Sequence, residues 1–310
     1  MSQTVLITGG TGLIGKSLSA LLLKKGYKVI ILTRNMVRSS GNELEFAIWN
    51  VEKQEIDGRA IQKADYIIHL AGAGVMDKNW DEKYKKEIVE SRTHSSALLC
   101  KGLNENKNMV KAVISSSAIG WYGKDATPLI SIKGFTELDP PDAGFLGETC
   151  RLWEQSIEPI EKINIRLVKL RTGIVLSNSG GAYPQFKKSL QFGIASILGS
   201  GKQVVSWIHV DDLCAMFLYA LENENVQGCY NAVAPIPVSN KTLIIKTAQH
   251  LKGTFFVPVH VPAFVLNFFM GKRSIEILKS TTVDGTKIQE AGFNFLYPGI
   301  DVALKELSMH

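Results

Sequence analysis

Cysteine and histidine are scarce in this 310-residue chain, and neither shows the spacing of a metal or disulfide framework. The four cysteines are Cys100, Cys150, Cys214 and Cys229. They form no CxxC pair, so free thiols in a reducing cytosol are expected. The six histidines show no HExxH spacing, so no metal is predicted. Zinc proteins and disulfide-stapled secreted domains are therefore excluded.

A strong charge imbalance and a long apolar run are also missing. The chain has 35 basic and 29 acidic residues, a net charge of +6, which suits a phosphate-bearing small ligand and is too small to indicate nucleic acid. The most apolar window, Phe255 to Met270, contains two prolines and falls short of the roughly 20 apolar residues of a membrane span. We therefore expect this window to be core. No secretion signal precedes the first strand-like segment, so a cytoplasmic protein without membrane partners is predicted.

Apolar runs of strand length alternate with helical patterns through the first half of the chain, which predicts repeated βαβ units. The predicted strands are Thr4 to Thr8, Lys28 to Thr33, Glu45 to Trp49, Tyr66 to Leu70, Val110 to Ser115 and Ile165 to Leu170. The predicted helices between them are Leu13 to Lys25, Asp81 to Asn104 and Phe145 to Glu161. The fold class is therefore α/β, a doubly wound parallel sheet with a smaller C-terminal α+β substrate lobe. Residues 1–175 plus about 208–235 would form the first domain, and 176–207 with 236–310 the lobe.

The turn after the first strand predicts a phosphate-binding site. Thr8 to Gly15 reads TGGTGLIG, and its glycines satisfy GxGxxG, which allows a tight turn, a close approach to pyrophosphate and packing of helix on strand. Gly9, Thr11, Gly12, Leu13 and Ile14 are the expected contacts, because the helix N-terminus presents free N–H groups to an anion. The same stretch with Lys16 and Ser17 also satisfies the P-loop pattern. No following strand ends in the aspartate that a P-loop kinase needs, so the dinucleotide interpretation is favoured.

The end of the second strand indicates which dinucleotide is bound. An NAD site would place an acid about 20 residues past the first glycine, whereas a basic residue accommodates a 2′-phosphate. The strand here ends Thr33, Arg34, Asn35, with Arg38 nearby. We therefore predict that Arg34 selects NADP.

Several segments together resemble the extended short-chain dehydrogenase/reductase superfamily. They are the TGGTGLIG turn, DYIIHLAG at 65–72, SSSAIGWYG at 115–123 and SWIHVDD at 206–212. LAGAGVMDKNW, SRTHSSALL and the tail from Lys287 are similar to an atypical branch, the nucleoside-diphosphate-sugar epimerase-like proteins with a C-terminal domain of unknown function. The resemblance covers nearly the whole chain. It implies a Rossmann domain that binds NADP(H) and hydride chemistry on a small molecule in a cleft.

The resemblance also implies further site residues. Cofactor contacts are expected from Asn50, Leu70, Ala71, Gly72, Arg92, Ser115 and Arg171. Small residues at Gly72, Ala73 and Gly74 would let the nicotinamide ribose and phosphate approach closely. Lys202, Gln203 and Trp207 would line the far side of the cleft.

The catalytic set that the resemblance implies is incomplete. The superfamily uses a serine and a YxxxK pair, whose lysine lowers the pKa of the tyrosine. Ser117 matches the serine, but alignment on Glu154 puts Leu146 and Cys150 at the tyrosine and lysine positions. Tyr122 is the predicted substitute proton donor, although a packed tyrosine is an equally good interpretation. Cys150 is expected to be a small buried apolar group rather than a reactive thiol.

Two further patterns are interpreted as structural. The only literal YxxxK, Tyr183 to Lys187, contains a proline and is predicted to lie in a glycine-rich loop by chance. In the segment His209 to Asp212, we expect a strand that ends at His209 and an aspartate that caps the next helix.

The sequence thus predicts an NADP(H)-binding oxidoreductase or epimerase-like enzyme, with Ser117 orienting the reacting oxygen. Its partner would be a small polar substrate, for which a nucleotide sugar is one choice, and the protein would be a monomer or homodimer. Two alternatives stay open, a non-catalytic module that senses NADP(H) and the less favoured P-loop kinase. No nucleic-acid partner is expected.

Overall fold

Eight strands form the central sheet of the protein. The computed structural model describes residues 2–35 and 43–309. The strands of this sheet are β1 Thr4–Thr8, β2 Lys28–Thr33, β3 Leu44–Asn50, β4 Glu55–Ile56, β5 Tyr66–His69, β6 Ala112–Ala118, β7 Arg166–Thr172 and β12 Gly228–Ala232. Their order is β12-β7-β6-β5-β1-β2-β3-β4. All pairs are parallel except β3 with the short β4. The predicted doubly wound sheet is confirmed.

Six short strands, twelve α-helices and three 3₁₀ helices, Ile119–Trp121, Glu158–Ile163 and Gly271–Arg273, complete the described elements. The remaining strands are β8 Ile174–Leu176, β9 Ile194–Leu198, β10 Val204–Val205, β11 Trp207–His209, β13 Val238–Ser239 and β14 Val257–Val261. The helices are α1 Leu13–Lys24, α2 Gly58–Lys63, α3 Glu82–Glu105, α4 Pro128–Lys133, α5 Phe145–Ile157, α6 Ala182–Leu190, α7 Val210–Glu222, α8 Asn240–Lys252, α9 Ala263–Met270, α10 Ser274–Leu278, α11 Thr286–Glu290 and α12 Ile300–Met309.

The two faces of the sheet carry separate hydrophobic cores, because side chains alternate along each strand. Val5 and Ile7 of β1 pack in the core that contains residues of α1 and α7. Leu6, between them, packs in the core that contains residues of α2, α3 and α5. Each fully buried aliphatic side chain of this kind contributes about 1.5–3 kcal/mol. This double burial holds the carboxyl ends of the strands in a fixed arrangement, at the edge where parallel sheets bind ligands.

Strand β6 ends three residues later than the sequence predicts, and strand β7 ends two residues later. Ser117 pairs with Arg171 and Ala118 with Thr172, so the ladder continues past the last apolar residues. Polar side chains here are not signs of a strand end, because Ser117 and Arg171 both donate to the buried carboxylate of Glu154 on α5.

Three two-stranded sheets, β10 with β13, β8 with β11 and β9 with β14, lie outside the main sheet. The prediction that Phe255 to Met270 is core is wrong for most of its side chains. Phe255 is 85% exposed and Phe268 is 83% exposed, while Leu266 is the buried residue of α9. The hydropathy of this window predicts burial, but hydropathy cannot show that only one residue of α9 is buried against the rest of the protein. Within residues 2–35 and 43–309, no helix is both long and apolar enough to cross a bilayer.

Two local predictions need correction. The cap of α7 is His209 itself, whose ring accepts the N–H of Asp211. The carboxylate of Asp212 instead accepts the backbone N–H groups of Leu296 and Tyr297. Tyr183 and Lys187 lie on helix α6 rather than in a loop, because proline is tolerated in the first turn of a helix.

Candidate cofactor and catalytic site

The glycine turn between β1 and α1 is too tight for any side chain at two of its positions. A Cβ on Gly15 would stand 2.4 Å from the carbonyl oxygen of Gly9, and one on Gly10 would stand 2.8 Å from Ile31. Gly9 has a φ of +69°, which L side chains rarely adopt. The N–H of Gly12 closes the turn on the Gly9 carbonyl at 3.0 Å. Glycine is therefore required by this geometry.

The N-terminus of α1 is open to an anion. Its cap residue, Gly12, has no side chain to occupy the first-turn N–H groups, and no acidic residue lies in that turn. Thr11 and Gly12 are exposed, whereas Leu13 and Ile14 are half-buried. Backbone N–H groups and the positive end of the helix dipole therefore face outward at this point. The residues present fit a dinucleotide pyrophosphate.

A buried polar chain fixes the turn to the end of β5. Thr8 Oγ1 accepts the N–H groups of Leu70 at 3.1 Å and Ala71 at 3.2 Å. The same hydroxyl lies 2.7 Å from His69 Nδ1, and the other ring nitrogen lies 3.2 Å from Ser96 Oγ. Burial lowers the pKa of His69 to about 4, so the ring is neutral near pH 7. The hydroxyl of Thr8 then donates to Nδ1, because its oxygen already accepts the N–H groups of Leu70 and Ala71.

Arg34 stands where the sequence places it, exposed directly after β2. Its neighbour Asn35 is also exposed and donates its N–H to the Thr33 hydroxyl. Asn50, at the end of β3, is half-buried and accepts the N–H of Lys53. Arg38 lies outside the described residues.

Gly72 is exposed, and the guanidinium of the buried Arg92 lies against it. A Cβ on Gly72 would stand 3.2 Å from Cζ of Arg92. The Arg92 side chain is 8% exposed, donates to the Ile88 carbonyl at 2.8 Å and stacks 4.9 Å from the Trp153 ring. Arg92 therefore lies just below the surface that was predicted to receive the nicotinamide half of the cofactor.

Ser117 and Arg171 meet on the buried carboxylate of Glu154. Ser117 Oγ donates to Glu154 Oε1 at 2.7 Å, and Arg171 contacts both carboxylate oxygens, at 2.8 and 3.1 Å. Burial alone would lower the pKa of Arg171, but the bond to Glu154 holds it above its usual range. The guanidinium is also 3.6 Å from the Trp121 ring. This cluster is a fully bonded ion pair below the surface.

Tyr122 belongs to the same buried cluster. Its hydroxyl donates to Asn231 Oδ1 at 2.7 Å and accepts from Arg171 at 3.0 Å, and its ring stacks on Phe135. The side chain is 0% exposed, and burial raises its pKa above the usual tyrosine value. The structure thus favours a packed tyrosine over a proton donor.

The positions of the missing pair are apolar. Leu146 is half-buried, and Cys150 is buried with its thiol 3.6 Å from the Ala118 carbonyl. Burial raises the pKa of Cys150 to about 12, which keeps it a thiol at neutral pH. Neither side chain can exchange a proton with a substrate.

The structure brings Ser117, Tyr122 and Arg171 together, whereas Arg92, on α3, donates to the Ile88 carbonyl instead. Gln203 and Trp207 are buried and donate to backbone carbonyls, and Lys202 is exposed. Sequence reasoning missed the part played by Glu154. Its position eight residues after Leu146 served only to align the helix, although an acid on an otherwise buried helix face was itself a signal. Across the described parts of the chain, no cluster of three metal-binding side chains occurs.

The parallel sheet, the glycine turn and the uncapped helix N-terminus define a Rossmann-type dinucleotide-binding protein. Comparison with known families is more specific, because residues 5–232 match the NAD dependent epimerase/dehydratase family. The chain belongs to this family. Residues 261–307 match a domain of unknown function, DUF1731. The predicted relationship to extended short-chain dehydrogenase/reductase proteins is confirmed.

The relatives cover the whole chain. Epimerase family protein SSP1921 of Staphylococcus saprophyticus is 33% identical over 307 residues, covering 97% of this chain and 98% of that protein. Epimerase family protein YfhF of Bacillus subtilis is 32% identical, covering 98% of both. Among solved structures, the human epimerase family protein SDR39U1 with NADPH has a TM-score of 0.85 and 26% identity, covering 99% of both chains. A nucleoside-diphosphate sugar epimerase from Corynebacterium glutamicum has a TM-score of 0.78 and 29% identity, covering all of this chain and 59% of that one.

Proposed function

We propose that the protein is an NADP(H)-dependent oxidoreductase or epimerase-like enzyme that acts on a small polar substrate, with nucleotide sugars as the first candidates. The observation that carries the proposal is the open helix N-terminus at Gly12, followed by a basic residue, Arg34, after β2. The first fits a pyrophosphate and the second a 2′-phosphate. The NADPH bound by the human relative supports the choice of cofactor.

The predicted cofactor residues divide by exposure. We propose that the turn Gly9, Thr11, Gly12, Leu13 and Ile14 binds the pyrophosphate, that Arg34 binds the 2′-phosphate and that Asn50 contacts adenine. Leu70, Ala71 and Gly72 would face the nicotinamide half. Ser115 and Arg171 are 1% and 3% exposed, so their proposed part is to support the site from below. We also propose that the chain is divided into two parts. Residues 1–175 with about 208–235 form the Rossmann domain, and residues 176–207 with 236–310 form the substrate lobe.

The cofactor would supply the hydride donor or acceptor, and this chain would supply its orientation. The chain lacks the Tyr-Lys pair that usually exchanges a proton with the substrate in this superfamily. Leu146 and Cys150 cannot donate a proton, and the hydroxyls of Ser117 and Tyr122 are already bonded inside the protein. We therefore propose that water carries the proton, and that Ser117 keeps β6 and α5 in register through Glu154.

The direct test is calorimetric titration with NADPH, NADP, NADH and ATP. We expect NADPH and NADP to bind, NADH to bind more weakly and ATP to give no heat. Arg34→Ala should remove most of the preference for the phosphorylated cofactor, about tenfold or more, since one charge-assisted contact is lost. Arg59→Ala is a suitable control, because Arg59 is, like Arg34, an exposed arginine, and it lies at the start of α2. Equal affinity for NADPH and NADH in the unmodified protein would contradict the proposal.

Binding without turnover is the second candidate function. The observation that favours it is the complete bonding of both candidate catalytic hydroxyls, Ser117 and Tyr122, within the Glu154 and Arg171 cluster. A panel of sugar nucleotides, ketones and aldehydes distinguishes the two functions. Substrate-dependent consumption of NADPH supports the enzyme. If no substrate is consumed while NADPH and NADP give different protease cleavage in residues 236–310, sensing is supported.

A further inference from the structure

Arg92 is a buried cation without an anionic partner among the residues that the structure describes. Its side chain donates to one backbone carbonyl, that of Ile88, and lies over the face of the Trp153 ring. The two arginines of strand β7 have more hydrogen-bond partners than Arg92. Arg171 has the carboxylate of Glu154, and Arg166 donates to three carbonyls at 2.7 to 3.0 Å. A buried charge without a counter-charge is costly, so an anion supplied from outside the chain would stabilise Arg92.

The position of Arg92 indicates where that anion would come from. The guanidinium carbon lies 3.2 Å from where a Cβ on Gly72 would be, and Gly72 is exposed. Gly72 lies three residues after the end of β5 and directly follows Leu70 and Ala71, whose N–H groups bond to the Thr8 hydroxyl beside the glycine turn. A ligand that extends from the helix N-terminus of α1 along this edge of the sheet therefore passes above Arg92.

A second observation about the surroundings of Arg92 concerns Cys150 on α5. It occupies the position of the lysine in the YxxxK pattern, and the charge of Arg92 opposes the rise that burial causes in the pKa of its thiol. A lysine at 150 and an arginine at 92 would put two cations into the same buried space, which is unfavourable. The arginine of α3 and the lysine of α5 are thus alternatives, and this chain has the arginine.

We propose that Arg92 takes the place of the absent lysine and binds the ribose-phosphate oxygens of the nicotinamide half of NADP(H). The inference rests on the proposed function, since it requires the dinucleotide to lie along this edge. The planar guanidinium can contact two oxygens at once, and the Trp153 ring holds its plane. Arg92 is then a positioning residue for the nicotinamide, with no proton to exchange.

Two ligands test the proposal by calorimetry on the full chain. NADPH carries the nicotinamide half, whereas adenosine 2′,5′-bisphosphate carries only the adenine half and its 2′-phosphate. Arg92→Met should weaken NADPH by about 10- to 100-fold and leave the bisphosphate unchanged. Arg34→Ala should weaken both ligands. If the unmodified protein binds neither ligand, the proposed function fails, and the inference fails with it. If the unmodified protein binds both ligands but Arg92→Met does not weaken NADPH more than the bisphosphate, only the inference about Arg92 fails.

A rescue variant separates binding from packing. In Arg92→Met with Cys150→Lys, the cation returns from α5, and we expect NADPH affinity to recover to within about fivefold of the unmodified protein. If Arg92 only packs on Trp153, the lysine restores nothing, which would overturn the proposal. Should Arg92→Met fail to fold, Arg92→Gln carries the same comparison. A loss for NADPH alone supports the proposal, and equal losses for both ligands contradict it.

Discussion

The single acidic side chain Glu154 organises the buried polar cluster behind the candidate site. Its carboxylate is 3% exposed and receives Ser117 and both arms of Arg171. Glu154→Gln leaves the guanidinium buried without its counter-charge, so we expect the free energy of unfolding to fall by about 3–5 kcal/mol. Urea denaturation followed by circular dichroism measures the loss.

The matched control lies on the same helix. Glu148 of α5 pairs with Arg151 at the surface, and exposed pairs contribute little because water screens them. Glu148→Gln should therefore leave the denaturation midpoint nearly unchanged. Similar midpoints for the Glu148 and Glu154 variants would show that the cluster is not the structural centre that we describe.

His69 makes the stability of the fold depend on pH. Burial lowers its folded pKa from 6.5 to about 4, so the folded protein keeps the ring neutral while the unfolded chain protonates it below 6.5. The contribution is fully present above pH 6.5 and is lost as the pH falls toward 4, by about 3 kcal/mol in total. We expect His69→Asn to be less stable at pH 7.5 and to show a shallower decline between pH 6.5 and 4.5. Parallel pH profiles of the two proteins would refute this account.

At the scale of elements, the turn between β1 and α1 should not tolerate a methyl group at Gly9. Gly9 and Gly26 both have positive φ, +69° and +84°, but a Cβ on Gly9 meets the backbone of Leu70 at 2.9 Å and one on Gly26 meets nothing within 4 Å. Gly26→Ala should cost about 1 kcal/mol for the left-handed backbone. Gly9→Ala should cost more and abolish NADPH binding. Thermal unfolding and calorimetry of both variants check the difference, and unimpaired NADPH binding by Gly9→Ala would count against the proposed site.

Elements with a strong local signal were predictable, and long-range contacts were not. The apolar run of β1 and the glycines of its turn encode their structure within a few residues. The bond from Ser117 to Glu154 joins residues 37 apart, and the bond from Tyr122 to Asn231 joins residues 109 apart, so periodicity gives no sign of either. Helix α9 shows that a strong local signal can also lead to a wrong prediction. An apolar helix pattern predicts burial, and only the tertiary structure shows which faces are covered.

At the scale of the whole molecule, the tail is held to the rest of the chain by carboxylates rather than by apolar packing alone. Asp125 accepts both the N–H and the hydroxyl of Thr282 at 2.7 Å. Asp212, 0% exposed on α7, accepts the N–H groups of Leu296 and Tyr297 at 2.7 and 2.9 Å. These bonds join the segment that matches the domain of unknown function to the loop after β6 and to α7. We therefore expect the tail and the Rossmann half to unfold together.

Asp212→Asn tests this coupling, because an amide has one oxygen for two donors and leaves a backbone N–H without its acceptor. The free energy of unfolding should fall by about 1–3 kcal/mol in a single transition, and proteolysis should cleave first between residues 292 and 300. Asp211→Asn, an exposed neighbour on the same helix, should change neither property. NADPH affinity should be unchanged in both variants, since neither side chain is among the proposed cofactor contacts. Two separate thermal transitions, one for each segment, would show that the tail is an independent unit and that these carboxylates do not couple it to the sheet.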